Sequence, residues 1–230
     1  MASNVSRPGN ILPFCENVMR ISKAIRLSFA LAACLAFGAS LFSSSVNGDG
    51  GKKSAKDDAG ARAAFLEAYK VFTHPRCMNC HPAGDAPLQG DDSRPHFYRV
   101  RRGVDGAGVF AARCTNCHQT RNLPGEHSPP GAPHSPEEKE KQNEPRWHLP
   151  PAATPMVFEK RTPAQLCRQL LDKKRNGNLT HEQLVQHVSQ DRLVLWGWDP
   201  GEGRTRPPLS HQEFVQKVKE WVDKGGACPN

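Results

Sequence analysis

Apolar residues recur at helical spacing in a few short stretches, separated by long runs rich in Pro, Gly, His and charge. Asp57 or Asp58 is placed to cap a helix running to about Thr73, with Phe65, Tyr69 and Phe72 on one stripe and Pro75 as its stop. Thr162, with Pro163 at the first helical position, starts another that buries Leu166 and Leu170 and ends near Asn176-Gly177. Thr180 and Gln183 form a capping box for a helix through Val188, where Leu184, His187 and Val188 share a face. Ser210 and Glu213 form another, and Phe214, Val218, Trp221 and Val222 line one side as far as Gly225-Gly226. The turn signal Val104-Asp105-Gly106 leads into a short predicted helix over 109–113. No stretch alternates polar and apolar residues. The predicted fold is mainly α, with long irregular loops.

The loops divide the chain further. Residues 82–95 are rich in Gly, Asp and Pro, and 119–155 show no periodicity. Within the latter, 134–145 carries Glu137-Glu138-Lys139-Glu140-Lys141 and reads as a solvated excursion. At the N-terminus, Arg20, Lys23 and Arg26 precede sixteen uncharged apolar or small residues, 27–42, followed by Ser43-Ser44-Ser45. That order predicts a signal peptide over 1–45, with an uncleaved membrane anchor as the alternative. Leu31-Ala32-Ala33-Cys34 also looks like a lipoprotein box, and Met19 competes with Met1 as the start. A polar linker, 46–56, then leads into one domain, 57–230.

Two five-residue segments inside that domain carry the chemistry: Cys77-Met78-Asn79-Cys80-His81 and Cys114-Thr115-Asn116-Cys117-His118. In C-x-x-C-H both thiols add to the vinyl groups of one haem and the histidine binds its iron. The three-residue offset on a helical turn puts both sulfurs on one side of the backbone. A four-cysteine zinc site and a dithiol redox pair are the rivals. Zinc ribbons separate their pairs by about 15–20 residues, whereas 33 residues lie between Cys80 and Cys114. Dithiol chemistry requires no histidine after each pair. Two covalently bound haems c are expected, attached through Cys77, Cys80, Cys114 and Cys117, with His81 and His118 as proximal ligands. Such haems are attached outside the bacterial cytoplasm, which agrees with the leader and predicts a periplasmic protein.

Of eight cysteines, Cys15 and Cys34 fall in the leader and four in the motifs. Cys167 and Cys228 remain, an even pair in an oxidising compartment, and a disulfide is expected, with two buried free thiols as the alternative. Without 1–45 the chain keeps 27 basic and 22 acidic residues. A charge of about +5, lowered further by haem propionates, gives no support to nucleic-acid binding.

The sixth ligand of each iron decides its chemistry, because methionine raises the reduction potential, a second histidine lowers it and an open position admits small molecules. Past the leader only Met78 and Met156 remain, and Met78 lies inside the attachment loop. Met156, at the end of the stiff run Pro150-Pro151-Ala152-Ala153-Thr154-Pro155, is the expected distal ligand of the second haem, with a core role as the alternative. For the first haem the candidates are His96 and His187, with His127 and His148 able to serve as well. Trp196, Trp198, Arg204 and Arg206 form a cluster suited either to haem propionates or to the edge of a Trp-rich core.

The two motifs resemble those of c-type cytochromes, and the leading helix, Pro-flanked methionine and final aromatic helix resemble the small monohaem plan. The 37 residues from His81 to His118 are too few for two tandem units, so one domain around two neighbouring haems is expected. More closely, the chain is similar to small dihaem proteins labelled "isoquinoline 1-oxidoreductase subunit". The similarity lies in His74-Pro75-Arg76-Cys77, Pro95-His96, Arg102-Gly103-Val104-Asp105-Gly106, Trp196-Gly197-Trp198 and Ala227-Cys228-Pro229. The 134–145 insertion departs from that pattern. The resemblance implies partnership with a molybdenum hydroxylase, which would donate electrons for delivery to another cytochrome or an oxidase. An exported electron carrier is therefore expected, and a peroxidase- or reductase-type enzyme with one open iron is its rival.

Overall fold

A computed structural model describes residues 56–132 and 147–230. The leader, Cys15, Cys34, nearly all of the linker and the 134–145 excursion lie outside the described residues. Helix α1 (Asp58–Phe72) begins where Asp57 accepts the Gly60 amide and buries Ala61, Ala64, Phe65, Ala68, Val71 and Phe72. Its partner in the core is the last helix, α6 (His211–Asp223), whose capping box of Ser210 and Glu213 is formed. Phe65 meets Trp221 at 4.9 Å between ring centres, and Phe72 meets Phe214 edge-on at 5.1 Å. These separations are those of favourable aromatic pairs, so the two ends of the domain are joined by rings as well as by buried area.

Between these helices the chain contributes α2 (Pro75–Met78), α3 (Pro163–Leu171), α4 (His181–Gln190) and α5 (Arg192–Trp196). The predicted boxes at Thr162 and Thr180 are both present. Cys167, fully buried on α3, is disulfide-bonded to Cys228 in the tail. Helix α3 stops at Leu171, short of Asn176-Gly177. Asn176 instead turns inward, buried, and bonds the Leu170 and Leu179 carbonyls and the Leu179 amide. Helix α5 was not expected; Asp191 caps it through the Leu193 and Val194 amides.

The predicted helix at 109–113 is a hairpin. Strands β3 (Gly108–Val109) and β4 (Ala112–Arg113) pair antiparallel, as do β1 (Leu88–Gln89) and β2 (Arg94–Pro95) before them. Gly106 and Gly108 have φ of 82° and 91°, which a helix start cannot use, and Arg113 reaches back to Asp105 at 2.8 Å. The described residues are thus helical with only two-residue strands. Long loops are gathered by Arg102, 2% exposed, which donates to the Pro150 carbonyl at 2.7 Å and the Gly84 carbonyl at 3.0 Å. Among the described residues no helix is long and apolar enough to cross a membrane.

Candidate functional site

Each motif follows a tight turn. His74 caps α2, and the Cys80 and His81 amides then bond the Cys77 and Met78 carbonyls, so the first motif winds as one turn. The second opens on a 3-10 turn at Cys114–Asn116, with the Cys117 and His118 amides both bonding Cys114. Either way the two thiols of a motif share one side, as addition to one ring requires. All four thiols are free, whereas Cys167 and Cys228 are joined.

The two histidines are held alike. His81 Nδ1 lies 2.7 Å from the Met156 carbonyl, and His118 Nδ1 lies 2.7 Å from the Pro130 carbonyl. Two residues on, each loop returns an amide to the motif or the residue after it: Phe158 to the His81 carbonyl at 2.8 Å, and Ala132 to the Gln119 carbonyl at 3.1 Å. Each imidazole also lies flat on an aromatic ring. His81 stacks on Phe158 at 3.9 Å and 10°, and His118 on Trp147 at 4.3 Å and 4°. A carbonyl on Nδ1 fixes the tautomer and leaves Nε2 bare, which is how metal-bound histidines are oriented. Burial pushes His81 down to about 3 and His118 to about 4, with the carbonyl bond opposing in each case, so both imidazoles are neutral at neutral pH.

Burial also raises the Cys77 thiol to about 12 and the Cys80 thiol to about 11. Cys80 lies within electrostatic reach of Cys114, which makes the motifs neighbours. Thiols so desolvated stay protonated at neutral pH. Among the described residues no three His, Cys, Asp or Glu side chains converge as a metal-binding group.

Two further observations fit a large apolar ring between the motifs. Phe97, Tyr98, Val104, Val109 and Phe110 are exposed, Phe110 almost completely, and all fall in the segment joining the two motifs. Arg76, directly before Cys77, is 4% exposed; it bonds the Gly90 carbonyl and Asp91 and lies 5.8 Å over Trp196. Its Nε has no partner, an unmet donor of the kind that a buried propionate would satisfy. Burial lowers its basicity, and Asp91 opposes that. Arg76 was missed in the sequence, where one arginine among the basic residues has no signal beyond adjacency to the motif.

The other anticipated residues fall as follows. Met156 is buried in the main core, and its carbonyl serves His81 of the first motif. His96 lies 6.1 Å from His118, ring centre to ring centre. His187, on α4, pairs with Asp191 at 3.5 Å, and both lie within electrostatic reach of His81. His127 is exposed and His148 half-buried. Trp196 donates its indole N–H to Asn122 and Trp198 donates to the Leu209 carbonyl. Both indole donors thus have protein partners. Arg204 donates to the Ser128, Pro200 and Glu202 carbonyls, and Arg206 is exposed.

No protein-family model, no curated protein and no solved structure matches this chain.

Proposed function

We propose that the chain is an exported dihaem c-type cytochrome that passes single electrons from a periplasmic dehydrogenase to another cytochrome or an oxidase. The observation that carries this reading is the duplicated histidine setting. Two C-x-x-C-H turns each present an imidazole with Nδ1 tied to a carbonyl, a ring face on an aromatic and Nε2 bare. Haem bound there supplies reversible one-electron chemistry, and the protein's part is to hold the iron ligands, exclude water and set the potentials. Cys77/Cys80 and Cys114/Cys117 would hold the two rings, and the buried Arg76 beside the first motif would meet propionate charge. The packing of α1 against α6 agrees with a cytochrome c-like plan in which first and last helices meet.

Neighbouring motifs support electron passage between the rings within one domain. The similarity to isoquinoline 1-oxidoreductase subunits points to a molybdenum hydroxylase as donor, and the mild positive charge suits an acidic partner surface more than a nucleic acid.

Anaerobic reductive titration tests the carrier role. The matured protein should take up two electrons per chain, return both to an oxidant, and leave hydrogen peroxide unconsumed over many equivalents. Rapid catalytic consumption of peroxide with an added electron donor would replace the carrier with a haem enzyme.

A further inference from the structure

We infer that His96 is the distal ligand of the second haem, so that the iron bound by His118 is bis-histidine and its sixth ligand comes from the loop of the first motif. This rests on the dihaem reading and specifies the ligand set of that site.

The spacing of the two rings carries the inference. His96 and His118 stand 6.1 Å apart, ring centre to ring centre, at 56°, farther than the stacked pairs of His81 on Phe158 at 3.9 Å and His118 on Trp147 at 4.3 Å. An imidazole nitrogen sits about 2 Å from a first-row metal, and the ring centre lies about 1.1 Å beyond it, so two histidines on one iron place their centres about 6.2 Å apart. A tilted ring contact also falls in that range, and the engagement of Nδ1 on both rings favours the shared metal. His96 Nδ1 is 2.6 Å from the Phe97 carbonyl and His118 Nδ1 is engaged with Pro130, which leaves Nε2 as the nitrogen available to a metal on both rings.

The chain around His96 is built to hold it there. Its amide bonds the Pro87 carbonyl at 3.1 Å, and Phe97 donates to Gln89 at 2.7 Å, which secures the residue to the end of the β1–β2 hairpin. That hairpin is anchored on the first motif: Leu88 donates to the Asn79 carbonyl at 3.0 Å and Asn79 donates to the Gly90 carbonyl at 2.9 Å. Directly after His96, Tyr98 and Arg99 take φ of 61° and 50°, left-handed values that non-glycine residues adopt under constraint. Phe97 and Tyr98 are 65% and 80% exposed, apolar rings beside the place where the second macrocycle would lie. The first motif therefore positions a ligand for the second iron. A histidine in that position also closes the site to small molecules and lowers its potential relative to a thioether ligand, in keeping with a carrier.

The test uses full-length protein matured with haem-attachment machinery, beginning with intact mass. His96→Ala should keep two haem masses, turn one of the two ferric irons high-spin, and bind one carbon monoxide per chain when reduced. His96→Met should restore six-coordination, add a sulfur-to-iron band at the red edge and raise one potential only. In His96→Ala the paramagnetic broadening should fall on the ring of Trp147, stacked on His118, and not on Phe158, stacked on His81. Two low-spin irons closed to carbon monoxide in His96→Ala would overturn the proposal, and so would broadening centred on Phe158. Wild-type protein without added haem mass would instead sink the dihaem reading, and this proposal with it.

Discussion

Two single residues, Met156 and Arg76, show how little of a side chain's role follows from its type. Met156 is attractive as a thioether ligand because past the leader only Met78 accompanies it, yet here its backbone carbonyl orients His81 while the side chain fills the core. Met156→Leu nearly conserves volume and should cost below about 1.5 kcal/mol. Both reduction potentials should stay where they are; a shift in either would place the sulfur on an iron. Arg76 makes the opposite case, a charge buried against Asp91, whose side chain is 37% exposed. Asp91→Ala would strand the guanidinium and should cost roughly 3 kcal/mol, since the orphaned charge is the one inside. Adding Arg76→Met should recover much of that loss, measured as the urea midpoint at constant slope. A double variant weaker than Asp91→Ala alone would mean that Arg76 has a further partner worth more than the ion pair.

Among elements, those governed by neighbours within four residues were legible and those governed by distant partners were not. The boxes at Thr162, Thr180 and Ser210 depend on residues three apart, and all three form. Ser210→Ala should lower stability by about 1 kcal/mol by thermal melting, because it frees α6 at the end that presents Phe214 to α1. An unchanged melting temperature would show that the core fixes that end without the cap. The hairpin at 108–113 was misread because Phe110 and Ala111 look like a helix face, while the bond from Arg113 to Asp105 and two left-handed glycines decide the turn. Helix α5 hid in the four-residue apolar run Leu193-Val194-Leu195-Trp196, too short to show a period. The Cys167–Cys228 bond closes a loop across a separation of 61 residues, and on loop-closure entropy its loss should cost about 4 kcal/mol. Cys167→Ala with Cys228→Ala should lower the midpoint accordingly while haem content holds. A loss far below that would indicate that the tail is held to α3 by packing alone.

At the scale of the whole molecule, the sequence marks the two C-x-x-C-H motifs and little of how their histidines are held. The two motifs are contiguous and therefore readable. The carbonyls of Met156 and Pro130, the rings of Phe158 and Trp147, and the approach of His96 to His118 join positions from 12 to 77 residues apart, and no local pattern encodes them. These contacts make the two motifs equivalent: each is a turn whose histidine is locked by a loop arriving later in the chain. Everything said of potentials, ligands and partners depends on haem being joined there through sulfur. The most direct measurement is the intact mass of protein matured with its haem-attachment machinery, taken after denaturation and extraction with acidified organic solvent. The account predicts that two haem masses remain on the chain, and that one remains when Cys77 and Cys80 are both changed to alanine. A chain that gives up all its haem to the solvent, or that never carries any, would contradict it.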